Sequence, residues 1–325
     1  MIDKLFDTSK LILKPLSERK HDYNLNNIKD LNRLSYSDNI KSVATRIVKA
    51  KKENKEIIFM MGAHVIKTGM QKYIIDLLKN GYITCIATNG ACVIHDFEYS
   101  LIGATSENVS VNIKNGTFGL WKETGMINDI INYSSDCKIG FGKCIGKEIW
   151  YSQSLFPYKD ISIFANCYNL NIPITVHVGI GYDIIHEHPN FDGAATGEMS
   201  HIDFLKFVNV ISNLENGVIM SFGSATMGPE IFLKALSMVR NIAKQENKEI
   251  NHFTSLVCDL HDLPENLNEL PEKNNALNFF RPWKTILVRT NQDGGNSFYV
   301  KGRHEETIPA LWSVIKDLEE CEDQL

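Results

Sequence analysis

Apolar and polar residues alternate along this chain in blocks that switch between two periods. Residues 57–61 are a short apolar run, the pattern of a strand buried on both faces. Gly62 ends it. Over 70–79, Met70, Tyr73, Ile74, Leu77 and Leu78 recur at helical spacing and Asn80-Gly81 supplies a stop. A second apolar run at 82–87 ends in Thr88-Asn89-Gly90. Strand, loop, helix, strand, loop is one βαβ unit, and the turns after residues 61 and 87 leave the carboxyl ends of parallel strands, where open α/β sheets bind ligands.

The same rhythm predicts a helix over 39–54 capped by Asp38, a short helix over 126–133 and a helix over 161–170. It predicts strands at 173–178, 218–222 and 285–289, a further apolar stretch at 253–260, and helices starting at Ser200 and at Gly228-Pro229. The glycines between 140 and 146 read as a break. Those between 115 and 125 read as a connecting loop or lid anchored by Trp121. Residues 263–279 read as a polar excursion. Residues 1–40 are polar and asparagine-rich, an arm preceding one α/β domain over 41–325. The fold class expected is α/β, doubly wound, with a mostly parallel sheet.

Composition changes this picture little. The 325 residues are 43% hydrophobic and 22% charged, ordinary globular values, and a chain of this length buries roughly 75% of its unfolded surface. A net charge of −5 gives no basic footprint for nucleic acid. The seven cysteines are scattered with no CxxC pair, and several sit in apolar runs, as reduced thiols do. There is no signal-peptide core and no run of about 18 apolar residues, so the expectation is a cytoplasmic protein with no membrane partner.

The chemistry-bearing residues cluster in two places. His177 closes a strand, and Asp183, His186, His188 and Asp192 lie in the loop beyond it. A histidine titrating near neutrality suits abstraction of a proton during hydride removal. His177 or His186 is the expected base, Asp183 its orienting or substrate-binding partner, and His188 a substrate contact. The same residues, His177, His186, His188 and Asp192, are also zinc-compatible, which keeps a metal-dependent, non-redox enzyme open as an alternative; no metal is assigned. The second place is the set of strand-end turns. Gly62, Thr88, Asn89, Gly90, Gly223 and Ser224 are the expected cofactor contacts. Asp96 is expected either to meet ribose hydroxyls or to cap a helix. His304-Glu305-Glu306 reads as a solvated helix start.

Read together, Gly62 to Gly69, Ile83 to Gly90, Asn171-Ile172-Pro173 and Gly179 to Asp183 resemble deoxyhypusine synthase. That resemblance implies an NAD-dependent fold, a place for Thr290 on the cofactor side, Trp312 over an amine substrate, and a homotetramer. It also exposes departures. The family's histidine falls near Gly228, one of its aspartates at Val178, and its catalytic lysine at Val314. Valine forms no imine. The expected function is therefore NAD-dependent oxidation, net or transient, of a small amine- or alcohol-bearing substrate, and not deoxyhypusine synthesis. The alternatives are an aminobutyl transferase making a polyamine such as homospermidine, the metal-dependent enzyme above, and a cofactor-binding protein without catalysis.

Overall fold

The computed structural model describes residues 4–264, 266, 267, 269, 272 and 275–322. The arm contributes β1 (His21–Asn24), and α1 (Asp38–Lys52) leads into β2 (Ile57–Met61), α2 (Ala63–Lys67), α3 (Gln71–Lys79), β3 (Cys85–Asn89), α4 (Gly90–Ile102) and β4 (Ala104–Glu107). Four helices follow, α5 (Val109–Asn115), α6 (Met126–Ser134), α7 (Phe141–Tyr151) and α8 (Ile163–Asn169), then β5 (Ile174–His177) and α9 (Gly193–Ile211). The chain finishes with β6 (Val218–Phe222), α10 (Met227–Gln245), β7 (Thr254–Asp259), β8 (Asn296–Lys301) and α11 (His304–Glu322).

Six strands form one parallel sheet in the order β5-β3-β2-β6-β7-β8. The chain steps outward from β2 through β3 to β5, returns to the centre, and steps out the other way through β6, β7 and β8. The order reverses between β2 and β6. This is the strand order of dinucleotide-binding Rossmann sheets. Side chains alternate across it: Ile57, Phe59 and Met61 enter one core with α1, α3, α4 and α11, while Ile58 and Met60 enter the other with α9 and α10. No helix among the described residues is long and apolar enough to cross a membrane.

The structure redraws several sequence expectations. Ser37, not Asp38, caps α1, accepting from the Ile40 N–H; Asp38 is the first helical residue. The helix expected from Ser200 starts at Gly193, because the Asp192 carboxylate caps it at Ala194 and Ala195. The glycines after Gly140 do not break the chain but lie inside α7. A Cβ on Gly142 would stand 1.9 Å from the Ile174 carbonyl oxygen, so its missing side chain is what lets α7 lie on β5. The apolar run at 285–289 is no strand. It belongs to a π-helix, Pro282–Arg289, that buries Trp283, Ile286 and Leu287, and the last strand is β8. A short apolar run has no period long enough to separate strand from buried helix. Pro271 and part of the polar excursion lie outside the described residues.

The arm is packed on the sheet domain. β1 pairs antiparallel with β4. Arg19 grips Glu98 through two hydrogen bonds, Nη1 to Oε1 at 2.9 Å and Nη2 to Oε2 at 2.6 Å, with both side chains 1% exposed. Thr105 and Thr124 also donate to Glu98. Trp121 is buried and donates to Glu107.

Candidate functional site

The crevice at the reversal is built by two glycines. A Cβ on Gly62 would lie 2.3 Å from the Gly223 carbonyl oxygen, so the turns after β2 and β6 touch through bare backbone. Gly223 holds φ +68°, the left-handed region that glycine adopts freely. A Cβ there would meet the Nε2 of His304 at 2.6 Å. Ser224, in the same turn, accepts a hydrogen bond from the Gly228 N–H and so steadies the entry to α10.

A cleft of about 570 Å³ opens beside this crevice. His64, Lys67, Gly223, Asp259, Arg303 and His304 line it, all at or beyond the carboxyl ends of β2, β6, β7 and β8. Tyr23, Asn27 and Lys29 of the arm also line it. Burial lowers the pKa of His304, opposed by Glu305, and its Nδ1 is buried with no partner among the described residues. Burial also lowers the pKa of His64, helped by the positive charge of Lys67 and opposed by Glu305. The cleft therefore holds two neutral imidazoles, cations and carboxylates together.

The second turn lies one strand over. Asn89 caps α4 by accepting from the Cys92 N–H, and the buried Thr88 hydroxyl donates to the Thr175 carbonyl. Gly90 leaves space for Asp183, whose Oδ2 would be 2.1 Å from a Cβ at that position. Burial pushes the Asp183 carboxyl up to about 6, against a hydrogen bond from the Ala91 N–H. His186 Nδ1 accepts from the Gly181 and Asp183 N–H groups, so its proton sits on Nε2, which is buried, unpartnered and 4.0 Å from Asp183 Oδ2.

The other expected site residues are dispersed. His177 is 3% exposed on the α9 side of β5, against Phe204 and Phe207 and bonded to the Thr175 hydroxyl. Burial drives its pKa down to about 3, and nothing joins it to the cleft. His188 is buried, with Nε2 donating to the Gly119 carbonyl. With Asp192 spent as the α9 cap, the metal-dependent alternative loses its ligand set; among the described residues no group of three or more His, Cys, Asp or Glu stands ready for a metal.

Three cofactor or substrate expectations are corrected. Asp96 is 1% exposed inside α4, where its carboxylate accepts from Ser162 Oγ and the Ile163 N–H at the start of α8, so of its two expected roles it takes the helix-capping one and faces no ribose site. Thr290 precedes β8 and so sits at the amino rim of the sheet, its carbonyl taken by Arg240 and its hydroxyl by Ile286. Trp312 lies about 12 Å down α11 from His304, at 1.5 Å per residue, bonded to Asp76 and edge-on to Tyr73 between helices. Lys316 cannot stand in for a lysine at position 314, since Asp76 and Glu319 hold it.

Sequence reasoning missed His64, Lys67, Asp259, Arg303 and His304. They lie at the carboxyl end of a strand, in the turn after it or in the short helix α2, and the strand order that brings those ends together is not written in the local pattern.

The fold and crevice define a doubly wound protein of the Rossmann type. The sequence profile of the family described as arginine dihydrolase ArgZ-like, C-terminal, Rossmann fold matches residues 41–136, less than half of the chain. No curated protein matches the sequence. A LOR/SDH-type protein from Methanococcus maripaludis S2 superposes with a TM-score of 0.51 at 16% identity, over 90% of this chain and 74% of that one. AgrE, solved as a ternary complex with ornithine and NAD+, superposes with a TM-score of 0.50 at 14% identity, over 88% of this chain but only 34% of its own length. A deoxyhypusine synthase-type protein from Entamoeba histolytica fits more loosely, with a TM-score of 0.41 and 8% identity, and adds nothing to the fold argument. The likeness to these structures is a likeness of fold.

Proposed function

We propose that this chain is an NAD-dependent enzyme that removes hydride from the amine-bearing carbon of a small substrate. The carrying observation is the buried, unpartnered Nδ1 of His304 beside a cleft that opens at the strand-order reversal. Support comes from the family profile over 41–136 and from AgrE, which binds NAD+ and ornithine on a similar fold. Residues 41–325 act in this reading as one catalytic domain, with the arm as an accessory wall.

The residues present suit such a cofactor. Gly62 and Gly223 bring two strand-end turns together without side chains between them, and Ser224 stands at the start of α10. Thr88, Asn89, Gly90 and Asp183 form the neighbouring turn, where hydroxyls of the cofactor would be held. Bound there, NAD+ would accept the hydride. Asp259 and Glu305 attract a substrate ammonium into the cleft, and Lys67 and Arg303 attract a carboxylate, so an amine or amino acid is oriented by its own charges. His304, kept neutral by burial, takes the substrate's nitrogen proton at Nδ1. The arm and the loop after β8 narrow the cleft against water.

Calorimetry with NAD+, followed by absorbance at the reduced-nicotinamide band on adding ornithine, putrescine or spermidine, tests this. Binding heat and reduction with at least one amine are expected. No heat with NAD+ or NADH would sink the reading, whereas homospermidine from spermidine and putrescine without net reduction would favour the aminobutyl transferase.

A further inference from the structure

Four Asn-Gly pairs lie in this chain, at 80–81, 89–90, 115–116 and 216–217. An asparagine followed by glycine can cyclise, because glycine has no Cβ to keep its backbone nitrogen away from the asparagine carboxamide. The fold decides which pair is free to do so. At 89–90 the Asn89 side-chain oxygen accepts the Cys92 N–H, and Gly90 is buried against Asp183. At 80–81 the Asn80 carboxamide donates to the Asp76 carbonyl at 2.8 Å. At 216–217 Gly217 is buried, its N–H donates to the Leu214 carbonyl at 2.7 Å, and a Cβ on it would stand 2.5 Å from the Glu56 carbonyl oxygen. Asn115-Gly116 differs from all three. Both residues are exposed at the end of α5, and nothing lies within 4 Å of where a Cβ on Gly116 would be. The Asn115 carboxamide has no partner among the described residues. The Gly116 N–H makes a long 3.2 Å bond to the Ile113 carbonyl, in an exposed last turn where such bonds open readily.

We propose that Asn115-Gly116 is a site of spontaneous covalent modification, an asparaginyl link that the fold leaves free to become aspartyl and isoaspartyl. This holds whatever the cleft binds. The Gly116 nitrogen attacks the side-chain carbonyl carbon of Asn115. A new C–N bond forms, the carboxamide C–N bond breaks, and the Gly116 N–H proton leaves with the amide nitrogen as ammonia. Water then opens the cyclic imide at either carbonyl. Opening at the side-chain carbonyl gives aspartate; opening at the main-chain carbonyl gives isoaspartate, with the chain running through Cγ. Over both steps one water enters and one ammonia leaves. Either product sets a carboxylate at the C-terminal end of α5, where the helix dipole disfavours it. Isoaspartate also lengthens the backbone by a methylene, which pulls Thr117 and Phe118 off the Asn112 carbonyl that their N–H groups share.

The test holds the whole protein in warm, mildly alkaline buffer and reads each of the four pairs by peptide mass, with electron-transfer fragmentation separating isoaspartate from aspartate. Asn115 should convert about tenfold faster than any other pair, because those react only from locally opened states. In urea the four rates should converge. Asn115→Gln should stop conversion at that position while keeping its circular dichroism. Equal rates in the folded protein, or another pair in the lead, overturn the proposal. Aspartate without isoaspartate overturns the imide step. A lead of Asn115 that survives in urea traces it to the neighbouring sequence and overturns the role given to the fold.

Discussion

His304 shows how one contact decides the state of a side chain. Its ring packs over Gly223 and near Phe222, where burial favours the neutral imidazole. The folded pKa lies below the unfolded value near 6.5. Between those two values the unfolded chain binds more protons, so stability rises with pH there and is lost as pH falls below about 6.5. His304→Gln should flatten that slope in urea titrations run at successive pH values. It should also abolish the acidic limb of the activity profile, which is expected below pH 6.5. Glu305 works against this shift and the charge of His64 works with it. From the sequence, His304-Glu305-Glu306 looks like a solvated helix start, because a charge run carries no mark of what it packs on. The sequence offers Asp183 as a candidate, but not its seat over Gly90: that needs the turn after β3 and the loop after β5 to meet.

At the scale of elements, the arm departs furthest from its composition. Asparagine-rich and polar, it reads as loosely packed, yet β1 is a paired strand and Arg19 is interior. Burial pushes the Glu98 carboxyl up, but the Arg19 guanidinium, with the Thr105 hydroxyl and His95, outweighs this and holds it below the usual range. Replacing Arg19 alone by Met leaves a buried carboxylate unmatched and should cost about 3–5 kcal/mol in urea denaturation. The double variant Arg19→Met with Glu98→Leu should recover most of that loss. The two partners lie 79 residues apart in the chain, a separation no local pattern encodes. The same limit explains α7, whose glycines serve contacts with β5 and α8 rather than turns. By contrast, β2, β3, β5 and β6 were legible, because strands covered on both faces are short, continuous apolar runs.

Over the whole molecule, the alternation of strands and helices predicted a doubly wound parallel sheet, and that is the architecture found. Its order was not readable, since every parallel strand looks alike from within. The expectation centred on the turns after β2 and β3, which are indeed neighbours. The reversal lies on the other side of β2, against β6, and the cleft lies there too. Hydrogen exchange with and without NAD+ distinguishes the two sides: protection is expected at residues 62–68, 223–226 and 302–305, and less at 178–190. Protection confined to 178–190 would move the cofactor to the Asp183 loop.

The Arg19–Glu98 clasp has a consequence for anyone who shortens this chain. Cutting away the first thirty residues as a dispensable tail would leave every strand of the six-stranded sheet in place. It would also strip Tyr23, Asn27 and Lys29 from the rim of the cleft and abandon an acid group in the interior. Poor turnover in so trimmed a protein would then reflect a missing wall, not a sheet unfit for chemistry.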